Sequence, residues 1–140
     1  MTNKYKIIAK FIKDMSSETR DIDTYLFVKD NISNYSLNID IKSKALKDKI
    51  IQIETTLKYE DKSENKKKSI FEMIFATIIR VDESIKDKND WGKIILCDVQ
   101  SEIYPELEKT FLNILHGSGY TELKFEKKID FDELYKKNQN

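Results

Sequence analysis

The feature that most constrains this chain is a repeated alternation of apolar and polar residues with a period of two. The cleanest example is "YSLNIDIK" at residues 35–42, where every second residue from Tyr35 to Ile41 is apolar. Residues 50–59, "IIQIETTLKY", repeat the pattern. Successive side chains of a β-strand point to opposite faces, so this period is typical of strands with one buried face. The two segments predict two strands of one sheet.

Two further segments predict strands with apolar residues on both faces. In "YKIIAKFIKDM" (5–15), the alternation predicts Tyr5, Ile7, Ala9 and Phe11 on one face and Ile8 and Ile12 on the other. In "SIFEMIFATIIRV" (69–81), Phe71, Met73, Phe75, Thr77 and Ile79 alternate with Ile70, Glu72, Ile74, Ala76 and Ile78. One face can cover the core. The apolar residues on the second face predict self-association or an apolar client.

The connections between these segments differ in character. Residues 16–34 are predicted to be a long irregular connection that crosses the structure and packs through the run Tyr25, Leu26, Phe27 and Val28. The run "EDKSENKKK" before the last strand is predicted to be a solvated hairpin loop, with a basic docking patch as the alternative.

After residue 81 the period becomes helical, and the segment "WGKIILCDVQSEIYPELEKTFLNILHGSGY" (91–120) is predicted to be helical. Apolar residues recur at spacings of three and four, which predicts one helix with an apolar stripe formed by Ile103, Leu107, Phe111, Ile114 and Leu115. Ser101 is predicted as the N-cap, with Pro105 in the first turn, and Gly117 and Gly119 as the end. Asp130 with Glu133 predicts a capping box for a last helix.

The order of strands followed by helices predicts an α+β fold. We expect a four-stranded antiparallel meander with helices packed on one face, in a single domain spanning residues 1–140.

Composition narrows the classes of function. Charged residues make up 36% of the chain but the formal net charge is zero, which argues against nucleic acid as a partner. Cys97 is the one cysteine, so no intrachain disulfide is expected and a reducing cytoplasmic location fits. The N-terminal segment is too interrupted by Lys for a signal peptide, and no apolar run approaches the roughly 20 residues that cross a bilayer. We therefore expect no membrane insertion.

Catalytic and metal-binding motifs are not apparent. His116 next to Gly117 is predicted to bond the last carbonyls of the helix, and Cys97 to be a small packing residue. A nucleophilic Cys97–His116 pair stays open as an alternative. The segment "GSGY" around Ser118 follows a helix, so it does not predict a nucleophile elbow. We expect no enzyme activity, no cofactor and no metal site.

The order of these segments resembles the SecB family of protein-export chaperones. The similar segments are "YKIIAKFIKDMSSE", "FVKD" at 27–30, "YSLNIDI", "SIFEMIFATIIRV", "EIYPELEKTFLNILHGSGYTELKF" and "IDFDELY". No one motif is diagnostic, but the ordered set extends over nearly the whole chain. The resemblance implies a homotetramer built as a dimer of dimers, in which two sheets pair through their first strands. It also implies binding of unfolded polypeptides, without catalysis, and their transfer to the export motor SecA.

The resemblance also implies two sets of site residues. Asp14, Glu18, Ile70 and Glu72 correspond to the family's SecA-docking surface on the exposed face of the sheet. Asp14 and Glu18 could instead be ordinary loop carboxylates. The candidates for client binding are Tyr25, Leu26, Phe27, Val28, Tyr35, Leu37, Ile39, Leu134 and Tyr135. Each of these apolar residues could instead belong to the core.

Three departures from the family weaken the expected transfer to SecA. The charge is balanced, Ala76-Thr77 replaces a Gly-Gly pair, and the acidic tail is reduced to "KKNQN". The alternative within the same mechanism is a SecB-like chaperone dedicated to the antitoxin of a toxin–antitoxin system. A binding module for another single partner is also left open.

Overall fold

The described residues of the computed structural model, 4–125 and 128–138, form an α+β fold; the last two residues of the "KKNQN" tail lie outside them. They contain four strands: β1 (Tyr5–Glu18), β2 (Tyr35–Ala45), β3 (Ile50–Asp61) and β4 (Ile70–Val81). The strands form one antiparallel sheet in the order β1-β4-β3-β2. The prediction of four antiparallel strands is confirmed.

The predicted meander is correct for β2, β3 and β4 but wrong for β1. Successive hairpins join the last three strands, whereas β1 pairs with β4 at the opposite edge of the sheet from β2. The chain between β1 and β2 must therefore cross the whole sheet. The alternating pattern identifies each strand but does not reveal this strand order. The connection between β1 and β2 is long enough to reach either edge of the sheet.

The crossing segment is helical, so the prediction of an irregular connection is wrong. Helix α1 (Ile22–Asp30) begins at Asp21, whose carboxylate accepts a hydrogen bond from the Thr24 amide at 2.8 Å. A single 3₁₀ turn (Ile32–Asn34) leads into β2. The Asp21 cap satisfies a free amide of the first turn, which favours helix in this segment.

The predicted long helix begins earlier than expected. Helix α2 (Lys88–Lys93) continues through a π-helical turn (Ile94–Asp98) into α3 (Val99–Gly117). Ser101 is therefore not an N-cap; the carboxylate of Asp87 caps α2 by accepting from the Asn89 amide at 2.9 Å. Pro105 lies inside α3 rather than in its first turn. The predicted end at Gly117 is confirmed.

The last helix, α4 (Phe131–Asn138), begins where the sequence predicts. The Asp130 carboxylate accepts a hydrogen bond from the Glu133 amide at 3.1 Å. This bond is the N-cap half of the predicted capping box.

The core lies between the sheet and the helices. Strand β4 places Phe71, Met73, Phe75, Thr77 and Ile79 in it, as predicted. The alternate residues face the opposite, open side of the sheet, where Ile70 is 53% exposed and Glu72 is partly exposed. Ala76 on this side is nevertheless fully buried, because Phe11 of β1 and Glu54 of β3 are its direct neighbours.

Strand β1 departs from simple alternation at two bulges. Its pairing with β4 skips Ile8, so that Ile7 pairs with Ile79 but Ala9 pairs with Ile78. Directly paired residues project to the same face, and a bulge exchanges the two faces of the strand beyond it. Ala9 and Phe11 therefore lie on the open face, opposite to Tyr5 and Ile7. The predicted shared face for these four residues is wrong.

Candidate functional site

A groove of about 780 Å³ lies between strand β2 and helix α4. Its apolar walls come from two strands on one side and from α4 and the segment before it on the other. The apolar lining residues are Tyr35, Leu37, Ile39, Tyr59, Phe125, Ile129 and Leu134. Polar and charged residues also line the groove, which follows the edge strand β2.

The groove exists because α3 packs along the other edge of the sheet. The Tyr5 hydroxyl donates to Glu102 at 2.6 Å, and the Lys10 ammonium group donates to Glu106 at 2.6 Å, so that α3 runs along β1. The inward face of β2 is left to the segment after α3 and to α4. As a result Tyr35 is buried, while Leu37 and Ile39 remain partly accessible.

Aromatic rings form the inner wall of the groove. The Tyr35 and Tyr59 ring centroids are 5.5 Å apart, and Tyr59 meets Phe125 edge to face at 5.6 Å. Phe125 in turn stacks on Phe111 of α3. Burial raises the pKa of both tyrosine hydroxyls, so this wall stays uncharged. Rings held by their neighbours form a preformed apolar surface, which suits non-directional binding.

Helix α4 is held against the π-helical turn and α3. The Cys97 thiol donates to the Asp132 carboxylate at 2.8 Å, and the Phe131 and Tyr104 rings meet at 5.3 Å. The Tyr135 hydroxyl donates to the Asn89 carbonyl at 3.4 Å. These contacts fix the wall of the groove that carries Leu134.

The same contacts do not form a nucleophilic pair. Burial, with the Asp132 carboxylate beside it, raises the pKa of the Cys97 thiol to about 11, which disfavours the reactive thiolate. His116 Nε2 bonds the Leu123 carbonyl at 2.8 Å. His116 thus contacts a carbonyl beyond α3. The prediction that it bonds the last carbonyls of the helix is wrong.

Four of the predicted client-binding residues come together in the groove: Tyr35, Leu37, Ile39 and Leu134. Tyr135 faces Asn89 and Gly92 instead. The run from Tyr25 to Val28 lies on α1, apart from the groove's described lining. Val28 is fully buried, Tyr25 packs on Tyr120 with centroids at 5.4 Å, and Leu26 is 50% exposed.

Several groove residues were not predicted from the sequence. They are Tyr59, Phe125 and Ile129, with the polar or charged residues Ser36, Asn38, Lys124, Lys128, Asp130, Glu133 and Lys137. A usable signal was present in "LKFEKKI" (123–129), where the apolar residues Leu123, Phe125 and Ile129 are spaced by even numbers, as in a strand with one apolar face.

The four predicted SecA-docking residues lie together on the open face of the sheet. Glu18 pairs directly with Ile70, and Ser16 pairs with Glu72. Asp14 reaches this face because the pairing skips Lys13, so that Asp14 stands opposite Ile74. Three carboxylates thus surround the exposed Ile70 and the partly exposed Ile74 on two adjacent strands.

The carboxylates on this open face differ in their partners. Glu72 is 3.5 Å from the Lys58 ammonium group, and Lys13 reaches across β4 to pair with Glu54. The hydrogen bond from Lys13 lowers the pKa of Glu54. Within residues 4–125 and 128–138, Asp14 and Glu18 have no ion-pair partner. These two carboxylates of β1 are therefore uncompensated.

The described residues contain no group of three or more His, Cys, Asp or Glu side chains placed to hold a metal ion. No helix formed by them is long and apolar enough to span a bilayer.

Solved structures identify the fold. A SecB-like chaperone of Mycobacterium tuberculosis, determined with a peptide of the HigA1 antitoxin, matches with a TM-score of 0.58 over 89% of this chain and 91% of its own, at 11% identity. A Streptococcus agalactiae protein of unknown function gives a TM-score of 0.47 at 6% identity, over 89% of this chain and 97% of its own. The first match defines the class of fold as SecB-like.

Sequence comparison identifies the family. The family described as "Preprotein translocase subunit SecB" matches residues 1–140. A Pelagibacter ubique (strain HTCC1062) protein named "Putative protein-export protein SecB" is 58% identical over 140 residues, which is 100% of both chains. The chain belongs to the SecB family of protein-export chaperones.

Proposed function

We propose that this protein is a cytoplasmic holdase that binds unfolded polypeptides in the groove between β2 and α4 and keeps them competent for export. The observation that carries the proposal is the groove itself, which has a rigid aromatic wall beside the edge strand β2. Apolar burial needs no particular client sequence, so such a groove suits many unfolded chains. No step in this function requires a bond to be made or broken.

The edge position of β2 supports an extended conformation for the client. Among the described residues, β2 pairs with β3 on one side and has no strand on the other. Its outer backbone groups can therefore pair with an added strand, while alternate client side chains enter the groove. The client would be held by backbone hydrogen bonds together with apolar contacts to Leu37, Ile39 and Leu134.

A refolding assay tests this proposal. Excess protein should slow the refolding of several unrelated denatured proteins without ATP. Leu37→Asp and Leu134→Asp should each weaken this effect at least about tenfold, because a carboxylate in an apolar contact loses its hydration. Leu46→Asp in the turn between β2 and β3 is the matched control, since Leu46 is exposed and lies outside the groove's described lining; Leu26→Asp tests whether the client surface includes α1.

The outcomes of that assay separate the alternatives. Loss of activity in Leu26→Asp as well would extend the client surface onto α1. Protection of one protein alone would favour a dedicated chaperone, such as one for an antitoxin. Failure to protect any denatured protein would overturn the proposal.

We also propose that the chain assembles into a tetramer through β1 and the long helix. Strand β1 carries Ile8, Phe11, Ile12 and Met15, which are 43–51% exposed. A long edge strand with exposed apolar side chains favours pairing with another copy. Native mass spectrometry with and without an unfolded protein measures both the number of subunits and client binding. A protein that stays monomeric and does not bind the unfolded protein would contradict both proposals.

SecA docking is proposed at the open face, at Asp14, Glu18, Ile70 and Glu72. Carboxylates around a small apolar spot attract and orient a basic partner, and the exposed Ile70 supplies burial. We expect Asp14→Lys/Glu18→Lys to reduce SecA binding in a salt-dependent way while leaving client binding unchanged. Asp30→Lys/Glu83→Lys, with the same charge change at exposed positions away from this part of the sheet, is the control. Equal binding by both double variants would exclude this surface.

A further inference from the structure

The open face of the sheet, opposite the helices, carries charges of opposite sign toward its two ends. On β4, Arg80 lies near one end and Glu72 near the other, with the partly exposed Ile74 and Ile78 between them. Ala76 lies midway between the two charged residues. Since successive side chains of a strand alternate between the two faces, all five project to the open face. Strand β4 is therefore symmetric in its apolar residues and opposite in charge at its two ends.

The edge strand β2 repeats this arrangement. Through its pairing with β3, Lys44 lies in the same row across the sheet as Ile78, and Asp40 lies in the same row as Ile74. Directly paired residues project to the same face, so both charges are on the open face. Lys44, Asp40 and Arg80 are exposed, and in the described part of the chain none of them has an ion-pair partner. The positive and negative ends of β4 thus continue across the sheet to β2.

The middle of the open face is apolar or internally compensated. One row across the sheet consists of Phe11 on β1, Ala76 on β4, Glu54 on β3 and Lys42 on β2. Glu54 pairs with Lys13, whose hydrogen bond lowers the pKa of the Glu54 carboxyl. Phe11 is 51% exposed, and its ring is available for burial. The central row therefore offers apolar area without an uncompensated carboxylate.

We propose that the open face binds the open face of a second copy of this chain, related by a two-fold axis that passes through Ala76 perpendicular to the strands. This rotation exchanges the two ends of the sheet. Arg80 of one copy then faces Glu72 of the second copy, and Lys44 faces Asp40. The isoleucines of β4 meet each other between these charges. Opposite charges favour this orientation, whereas like charges oppose the one in which equal ends meet.

The size of the open face fits a weak, reversible association. Four strands about 4.8 Å apart, with about ten residues at roughly 3.3 Å each, give a face of roughly 600 Å² per copy. Two copies bury about 1,200 Å² in total, at the lower end of specific interfaces. We therefore expect association at high protein concentration and low ionic strength. It covers the acidic end of the face, so it excludes the SecA docking proposed there.

Sedimentation equilibrium tests the proposal by measuring the average mass of the protein from micromolar to millimolar concentration. At low ionic strength the mass should rise with concentration above that of the basal species, and high salt should reduce this rise. Arg80→Glu and Lys44→Glu should each weaken the association at least about tenfold, because each places like charges opposite each other twice in a two-fold interface. Circular dichroism confirms that the variants are folded.

Exchange of the two charges on β2 provides the matched test. Lys44→Glu alone places Glu opposite Asp40 of the second copy. Lys44→Glu/Asp40→Lys restores opposite charges across the interface and should recover most of the association, which is a non-additive effect. Lys47→Glu is the control: it changes the net charge as Lys44→Glu does, but Lys47 is exposed in the turn between β2 and β3. It should leave the association unchanged.

The outcomes separate this inference from the other proposals. A mass that does not change with concentration at any ionic strength overturns it and leaves the open face to a different partner, such as SecA. Equal weakening by Lys47→Glu, or no recovery in the exchanged variant, also overturns it. Ile12→Lys is designed to disrupt only the proposed β1 contact, so this variant should still show the salt-dependent rise in mass.

Discussion

At the scale of single residues, the contact between Gly119 and Tyr25 attaches the crossing helix α1 to the rest of the fold. The Tyr25 hydroxyl donates to the Gly119 carbonyl at 2.8 Å, and its ring packs on Tyr120. Gly119 has a φ of +107°, and a Cβ atom there would lie 2.5 Å from Tyr25 Cε1. This position therefore requires glycine for both its backbone conformation and its space.

Gly119→Ala should lower the free energy of unfolding by about 2 kcal/mol, from backbone strain and the displaced tyrosine ring. Urea denaturation followed by circular dichroism measures the change. Gly117→Ala is the matched control: nothing lies within 4 Å of a Cβ there, and the residue ends α3. Equal stability of the two variants would contradict the assigned contact.

The buried thiol makes the stability of the fold depend on pH in the alkaline range. The pKa of Cys97 rises from 9.0 to about 11 in the folded chain, mainly through burial and then through the bond to Asp132. Since the unfolded thiol loses its proton first, the stabilisation is complete below pH 9 and is lost as the pH rises toward 11.

Cys97→Ser should remove this part of the pH dependence, because a hydroxyl does not ionise in that range. The free energies of unfolding of the wild-type protein and of Cys97→Ser are measured by urea denaturation from pH 8 to 10.5. The difference between them at each pH gives the contribution of the thiol's ionisation. Burial also raises the pKa of Tyr5 and Tyr104, but these residues are common to both proteins. A constant difference across the range would exclude the proposed ionisation.

The sequence predicts burial well where alternation is uninterrupted. On β4, the five residues expected to face the core are all buried, because strand geometry alone assigns them. On β1, the same rule fails after Ile7, because the bulge exchanges the two faces. A bulge depends on the register with β4, and the residues of β1 do not specify that register.

At the scale of elements, the docking of the helices on the sheet depends on a buried polar bridge. The Thr55 hydroxyl on β3 donates to the Gln100 side-chain carbonyl at 3.1 Å, and both residues are fully buried. The Gln100 amide group donates in turn to the Ile95 carbonyl in the π-helical turn at 3.4 Å. Gln100 thereby joins α3, the π-helical turn and the centre of the sheet.

The costs of removing the two partners of this bridge should not be additive. Thr55→Val or Gln100→Leu alone leaves a buried polar group without its partner, at about 1–3 kcal/mol each. The double variant should be more stable than the sum of the single effects predicts, by about 1 kcal/mol. A double-mutant cycle from urea unfolding measures this coupling, and strictly additive costs would show that the bridge is energetically unimportant.

The four strands and the last two helical regions were predictable, but helix α1, the strand order and some boundaries were not. The helical period after residue 81 correctly indicated α3, yet Ser101 was a wrong start because the π-helical turn and α2 continue the helix toward the N-terminus. The groove was predicted in part: Tyr35, Leu37, Ile39 and Leu134 lie in it, whereas Tyr25 and Val28 pack elsewhere. Apolar side chains at a groove and in a core carry the same sequence pattern, and only the packing separates them.

At the scale of the whole molecule, the proposed assembly predicts that one charge on β1 changes the number of subunits. Ile12 is 43% exposed in the single chain, so Ile12→Lys should leave the subunit folded while placing an ammonium group in the proposed interface. Native mass spectrometry should show a shift from tetramer to smaller species.

Leu46→Lys is the matched control for this prediction. Leu46 is 44% exposed and lies in the turn between β2 and β3, far along the sheet from the β1 edge. It should retain the wild-type subunit number. An unchanged mass for Ile12→Lys, or an equal shift for both variants, would contradict assembly through β1.

The strand order has a consequence for the number of client sites in the proposed tetramer. Strands β1 and β2 form opposite edges of the sheet. A second subunit that pairs at the β1 edge therefore leaves the β2 edge free. Under the proposed function, subunit association and client binding would therefore use different backbone groups. Each subunit of the proposed tetramer would contribute one client groove, and a long client could bind several grooves at once, so that its apparent affinity would rise with the number of subunits.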